Sequence, residues 1–408
     1  MPRSHSSLVV IGGTYGETCA FPRYEDVYGS GLRAACALAD SGLAITYETV
    51  ANAEFVRHAQ LKAATHGISL RVTPSEQTYR FWYLHTLSGG KLSPPPQPLS
   101  TKQIVEAECA LQFGMVEECF SVKAECLIYD PQSPADPRSL RSIGSSAKRT
   151  AIVLNYREAT TLAQEKNIVT AAQKIRAGEK VEVVIVKDGP RGALVCTEAE
   201  AKWAPVFETS RCFLVGSGDV FSAIFAREWG AKGINPFDAA VTASRSTAAW
   251  CNSPIFPLQM DAVAGARERI FVERPKPPRA YLAGPFFTAP QLWWVGHARR
   301  VLEDLGFSVF SPYHDVGIGV LRSSEIAKQD LDALEESDVV FALLDSLDPG
   351  TIFEIGYARS KNIPVVCLRT EGPVGLHETM LEGTGCELFD DFGSAAYHAY
   401  WAATSSAK

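Results

Sequence analysis

The sequence predicts an α/β fold with parallel sheets, divided into two domains. Three observations lead there. Strand-length apolar runs alternate with longer amphipathic, alanine-rich stretches, the rhythm of β-α-β units. The chain has 408 residues, more than one hydrophobic core commonly organises. A proline-rich, basic stretch, VERPKPPRAY (272–281), separates two such alternating series.

In chain order, LVVIGG (8–13) opens the first series as a buried strand, and GSGLRAACALADSG (29–42) follows at helical spacing. TYRFWYLHTLSGGKLSPPPQP (78–98) breaks the rhythm; its aromatic alternation and prolines predict a β excursion and a loop over a site. ECLIYD (125–130), TAIVLN (150–155) and VEVVIVKDG (181–189) are buried strands. TTLAQEKNIVTAAQKIRAG (160–178) reads as one helix and GDVFSAIFAREWG (218–230) as another. The second series runs from the strand RAYLAG (279–284) through the helix QLWWVGHARRVLEDLG (291–306) to the strand DVVFALLD (338–345).

Composition excludes several classes. Apolar residues make up 46% and charged residues 21%, as in ordinary globular proteins. A net charge of −7 argues against a nucleic-acid or anionic-membrane surface. No apolar run approaches the roughly 20 residues of a membrane helix, and the start, MPRSHSS, leads directly into a strand without the pattern of a signal peptide. Ten scattered cysteines without a CxxC pair read as reduced thiols of a cytoplasmic protein. GGTYGE (12–17) lacks the spacing of a dinucleotide-binding turn, and the lone His85 and His314 are assigned no role.

In the second series, DPGTIFEIGYA (348–358) places Glu354 among apolar neighbours after a Pro-Gly turn. Two readings stand open from these residues. Thr351 and Glu354 have the spacing of a capping box, with Thr351 at the N-cap. Alternatively, a carboxylate in the first helical turn, poorly hydrated and at the carboxyl end of a strand, is placed to attack an electrophilic carbon.

YLAGPFFT, FSPYHDVG, IAKQDLDALEESDVVFALLD, DPGTIFEIGYA and IPVVCL stand in an order and spacing that resemble the nucleoside 2-deoxyribosyltransferases, over residues 279 to about 370 with a weaker tail to 408. The resemblance implies a smaller flavodoxin- or Rossmann-like parallel sheet. It also implies cleavage of the bond between nucleobase and sugar, with Glu354 as the nucleophile that holds the sugar until a second base or water takes it. Tyr281 would orient that nucleophile. Asp330 and Asp348 would line the base and sugar site and assist protonation of the leaving base, with Gly284 beside them in the opening turn. Asp330 carries the motif match, whereas Asp332 does not. Related nucleotide N-hydrolases have a small hydroxyl residue where Asp348 stands. A carboxylate there repels a 5′-phosphate, so a nucleoside substrate is expected, and Glu378, at a position supplied across a subunit interface in relatives, points the same way. Site sharing of that kind implies a homodimer or higher homo-oligomer.

In the first series, Asn155-x-x-Glu158 follows a strand, VKDGPRGA brings Lys187, Gly189 and Gly192 to a turn, and Gly216-Ser217-Gly218-Asp219 opens a helix. Backbone N–H groups of a Gly-Ser-Gly turn at a helix start face an anion, and an adjacent aspartate can take a proton from an attacking hydroxyl. A simple helix cap also accounts for the turn. With GSGLRAACALADSG, the set resembles the ribokinase-like (PfkB) sugar and nucleoside kinases over residues 8 to about 270. This implies a three-layer α/β/α domain that uses ATP and Mg²⁺. Asp219 would be the base, Gly216, Ser217, Gly218, Lys187, Gly189 and Gly192 would lie at the nucleotide, and Asn155 and Glu158 would organise the metal. CFLV precedes Gly216 where the family has Asp-Thr. Arg33 stands near the family's acceptor-binding asparagine, suited to an anionic acceptor or an ion pair with Glu17.

The expected domains are 1–272, kinase-like, and 280–408, deoxyribosyltransferase-like, joined by a linker at 273–279. The expected function is a cytoplasmic fusion enzyme of nucleoside metabolism acting on a small nucleoside or sugar. The alternative is an N-glycoside hydrolase gated by an inactive, nucleotide-sensing kinase-like module.

Overall fold

The computed structural model describes residues 5–97, 103–117, 120–133, 136–317, 322–370 and 379–405. The chain forms two compact units, residues 272–408 making up nearly all of the second, with the short segments Ala20–Pro22 and Leu84–Ser88 added to it.

The first unit is built on a nine-stranded sheet. Its order is Ala201–Ala204, Ala193–Cys196, Val183–Lys187, Ser146–Asn155, Phe120–Asp130, Gln103–Phe113, Ser7–Ile11, Ala44–Ala51 and Ser69–Pro74. The last seven strands in that order are parallel, and the first two add an antiparallel edge. Successive residues of each strand point to opposite faces. Val10, Leu111, Ile128, Val153 and Ile185 therefore join one core, with Leu32, Val220 and Ala239 from the helices Gly29–Ala37, Ser217–Phe225 and Pro236–Asn252. Ile11, Ala110, Leu127, Ile152 and Val184 join a second, with Ala159 and Ile175 from Tyr156–Ala163 and Ile168–Glu179. The result is the expected three-layer α/β/α arrangement. The stretch read as one helix over 160–178 is two, because Gln164 turns to φ 49° and ends the first. The aromatic segment forms Arg80–His85 and Lys91–Ser93 in a separate four-stranded sheet.

The second unit carries five parallel strands in the order Ser308–Phe310, Arg279–Ala283, Val339–Leu343, Val365–Leu368 and Glu387–Phe389. Numbered within the unit this is 2-1-3-4-5, the flavodoxin-like order, with its switch point between Arg279–Ala283 and Val339–Leu343. Tyr281, Ala283, Val340 and Ala342 share one face of that sheet. The helices Ser323–Glu335 and Pro349–Ser360 cover it with Ala333, Leu334, Ile355 and Ala358. Tyr281 thus lies under the helix that carries Glu354.

Candidate active sites in the two units

The switch point of the second unit gathers five of the expected residues. Asp348 is the N-cap of Pro349–Ser360; its carboxylate accepts from the Thr351 backbone N–H at 2.8 Å and hydroxyl at 3.0 Å. The capping-box reading of Thr351 and Glu354 is therefore corrected: the cap lies three residues earlier than that reading required, and Glu354 sits in the second helical turn with its carboxylate free of capping. The approach to Asp348 is strained, since Ser346 and Leu347 take φ of 76° and 45°. Bulky L-residues rarely adopt such angles, and strain of this kind clusters at functional sites.

The Tyr281 hydroxyl donates to Glu354 Oε1 at 2.6 Å. Tyr281 is fully buried and stacked on Phe310 with ring centroids 5.5 Å apart. Burial and the adjacent Glu354 push the phenol far above its ordinary range, so it stays a donor. Burial pushes Glu354 up to about 7, with Asp330 and Asp348 adding to the shift and the tyrosine bond opposing it. Asp330 is half-buried on the inward face of its helix, while Asp332 is exposed. Its Oδ1 is enclosed without a hydrogen-bond partner, and desolvation raises it to about 6. Among the described residues, no Lys, Arg or His is among the groups acting on Glu354. Gly284 follows the first strand, where an added Cβ would lie 3.1 Å from that of Leu343, so glycine permits the close approach at the switch point. Glu378 lies outside the described residues.

Chemically, this is a half-buried carboxylate oriented by a phenol, beside a second carboxyl that desolvation makes easier to protonate than usual. The first can attack carbon and the second can donate to a leaving group. Uncompensated negative charge also suits a transition state with oxocarbenium character.

The first unit presents the opposite electrostatics. Asp219, in the first turn of Ser217–Phe225, accepts from Arg33 Nη1 at 2.7 Å and from Gln132 Nε2 at 2.5 Å, one partner on each oxygen. Arg33 is 1% exposed, pairs also with Glu17, and lies 5.2 Å and 5.5 Å from the ring centroids of Tyr28 and Trp250. Its Nε has no partner and packs on Gly216, where an added Cβ would lie 2.1 Å away. Burial opposes the charge on Arg33, but Glu17 and Asp219 overcome it and hold the guanidinium well above its ordinary range. Of the two partners foreseen for Arg33, the structure supplies Glu17, and it adds Asp219.

Gly216 takes φ 75° as the N-cap of that helix, while the Ser217 hydroxyl donates to Leu214 O at 2.8 Å. Lys187 ends its strand with Nζ turned inward, 2.7 Å from Asp130 Oδ2. Gly189 and Gly192, at φ 55° and 96°, shape the turn beyond it. Asn155 and Glu158 cap each other: Asn155 Oδ1 accepts from the Glu158 N–H at 2.9 Å, and Glu158 Oε2 from the Asn155 N–H at 2.8 Å. Burial and Asp130 push Glu158 up to about 7. This pair does not fit a protein-held metal ion well, because Asn155 Oδ1 and Glu158 Oε2 are used on backbone N–H groups and the carboxyl is only partly ionised at neutral pH. Among the described residues, no group of three or more His, Cys, Asp and Glu is arranged for one.

Sequence reasoning did not single out Asp130, Gln132, Ser222 or Phe310. Asp130 carried a usable signal, as the last residue of a buried parallel strand, where ligands and charged networks gather. Gln132 carried none, being brought to Asp219 from 87 residues away.

Comparison with known proteins follows the same division. Residues 117–251 match the family model of the pfkB carbohydrate kinases, and residues 280–388 match that of the nucleoside 2-deoxyribosyltransferases. No curated protein matches the chain. Among solved structures, a fructokinase double mutant from Vibrio cholerae O395, bound to fructose, ADP and potassium, is 16% identical, with a TM-score of 0.51. The match covers 64% of this chain and 96% of that one. A sulfate complex of a pyrophosphate-dependent kinase in the ribokinase family is 14% identical with a TM-score of 0.50, covering 63% and 98%. At such identities the likeness concerns fold. Among the described residues, no helix is long and apolar enough to cross a membrane. The chain joins a larger ribokinase-like unit, matched over 117–251 to the pfkB carbohydrate kinases, to a smaller unit matched over 280–388 to the nucleoside 2-deoxyribosyltransferases.

Proposed function

We propose that the second unit breaks the N-glycosidic bond of a ribo- or deoxyribonucleoside, passing the sugar through Glu354 to a second base or to water. The observation that carries this is the Tyr281–Glu354 hydrogen bond at 2.6 Å beside the protonatable Asp330. In this reading ionised Glu354 attacks the anomeric carbon. The carbon–nitrogen bond breaks, and the proton on Asp330 goes to the departing base. Water or an incoming base then displaces Glu354 and returns a proton to Asp330. Asp348, an acid at the helix start, supports a nucleoside over a nucleotide. The resemblance to the deoxyribosyltransferases supports a site shared between copies in a homodimer or larger assembly. Incubating the full chain with nucleosides, with and without free bases, and trapping a sugar on Glu354 by mass spectrometry tests this. A nucleoside panel left intact throughout overturns it.

For the first unit, the family-consistent reading is phosphorylation of a sugar or nucleoside hydroxyl from ATP and Mg²⁺ in the cytoplasm, with Asp219 as base and the Gly216–Gly218 turn at the phosphates. The two activities would then serve one route of nucleoside use. A second reading has a specific observation in its favour: both oxygens of Asp219 are engaged, one by a buried arginine. The first unit then senses a nucleotide and gates the glycosidic site. Phosphoryl transfer from MgATP to a panel of sugars and nucleosides separates the two, since the second reading expects ATP binding without turnover.

A further inference from the structure

The first unit holds a second, largely enclosed cation, Lys187, which the kinase resemblance places at the nucleotide and which the structure pairs with Asp130. Lys187 Nζ lies 2.7 Å from Asp130 Oδ2, 3.4 Å from the Gly218 carbonyl oxygen and 3.4 Å from Ser222 Oγ. Asp130 is 1% exposed, and the same Oδ2 accepts from Ser222 Oγ at 2.7 Å. Carboxylate, carbonyl and hydroxyl make an all-oxygen set, the donor chemistry that hard cations select. Burial opposes the ammonium's charge, and Asp130, Glu158 and Asp219 together hold it above the ordinary lysine range. The fit is close: a Cβ on Gly218 would lie 3.2 Å from Nζ. The cage also joins three separate elements, the ends of the strands Phe120–Asp130 and Val183–Lys187 and the first turns of Ser217–Phe225.

We propose that Lys187 is a built-in monovalent cation. Its ammonium fills an oxygen cage of Asp130, Gly218 and Ser222 and fixes the glycine turn to the sheet, as a bound potassium or ammonium ion would. A chain with the side chain cut back takes up a small ammonium ion in its place. No bond is made or broken, and the proposal stands whether or not the unit transfers phosphate.

Differential scanning calorimetry of the full chain tests this at constant ionic strength in choline, potassium, ammonium and propylammonium chlorides. The wild-type chain is expected to melt at the same temperature in all four. Lys187→Ala leaves Asp130 buried without its counter-ion, so its N-terminal transition should fall by about 10 °C in choline chloride. Ammonium or propylammonium, the latter matching the deleted atoms, should restore at least half of that loss. Equal melting of Lys187→Ala in all four salts overturns the proposal, as does a potassium-dependent gain in the wild type. If Lys187→Ala does not fold, Asp130→Asn and the double variant Lys187→Met/Asp130→Asn decide. The single change should lower the transition and the double variant should lie nearer wild type. An Asp130→Asn chain as stable as wild type removes the counter-ion role and with it the proposal.

Discussion

The two centres of this chain use the same side-chain chemistry to opposite ends. In the first unit, Asp219 and Glu17 share the buried guanidinium of Arg33, Asp130 holds the ammonium of Lys187, and Glu158 is spent on a helix cap. In the second, Glu354 and Asp330 have no cationic partner among the described residues, and a phenol is the only hydrogen-bonding side chain on Glu354. A buried carboxylate with its counter-ion in place is a structural element, costly to disturb. One without a counter-ion is held at high free energy when ionised, and that energy is relieved when positive charge develops beside it. The contrast teaches where chemistry is stored: in the second unit, as uncompensated charge.

The largest expected effect breaks this contrast most directly. Glu354→Gln should reduce nucleoside cleavage by at least about 10³-fold, because it removes the bond-forming oxygen. Nucleoside turnover within tenfold of wild type would place the chemistry elsewhere. The rate should also follow the ionisation of this group. Because the proposed reaction needs Glu354 ionised and Asp330 protonated, kcat/KM should peak between about 6 and about 7 and fall about tenfold per pH unit on either side. Tyr281→Phe, by removing the bond that favours the ionised form, should move the Glu354 midpoint upward. A profile already flat from pH 5 to 8 would contradict the assignment.

Stability should register the same group with a definite sign. The folded pKa lies above the ordinary 4.5, so the folded chain binds the proton more tightly than the unfolded one. That contribution is full below about 4.5 and is lost as pH rises through about 7. Glu354→Gln should therefore stabilise the second unit at pH 8, by about 1–2 kcal/mol, and hardly change it at pH 4. In the first unit the sign reverses. Asp219→Asn leaves Arg33 half-paired and should cost about 3 kcal/mol, a drop in melting temperature of roughly 6–12 °C. Unchanged melting in a variant that loses measured phosphoryl transfer would instead make Asp219 a working base. The smallest effect concerns selectivity. Asp348→Ser keeps a capping oxygen and removes the charge, so the preference for nucleosides over 5′-monophosphates should narrow by about tenfold, one charge interaction of about 1.4 kcal/mol. No narrowing would leave Asp348 a cap alone.

Much of the architecture was legible from periodicity. Runs such as TAIVLN and DVVFALLD became strands, and their alternation forecast parallel sheets, because burial on both faces demands uninterrupted apolar residues. The candidate residues were legible through motif order. Their partners were not. The helix over 160–178 was misread because the left-handed turn at Gln164 leaves no mark in apolar spacing. The cap was assigned to Thr351 when Asp348 holds it, since both side chains satisfy the same local pattern and only the strained turn at Ser346 and Leu347 decides between them.

By itself the sequence determined two α/β units, the residues able to do acid, base or nucleophilic chemistry, and their attachment to strand ends and helix starts. These depend on side-chain periodicity and local turn chemistry, which act over a few residues. Tertiary structure alone decided which carboxylates acquire a cation. Arg33 reaches Asp219 across 186 positions and Lys187 reaches Asp130 across 57, while Tyr281 reaches Glu354 across 73 and brings no charge. Ionisation of a buried group is set by whatever the fold packs within a few ångströms of it, and that distance is not encoded in the local run of residues around it.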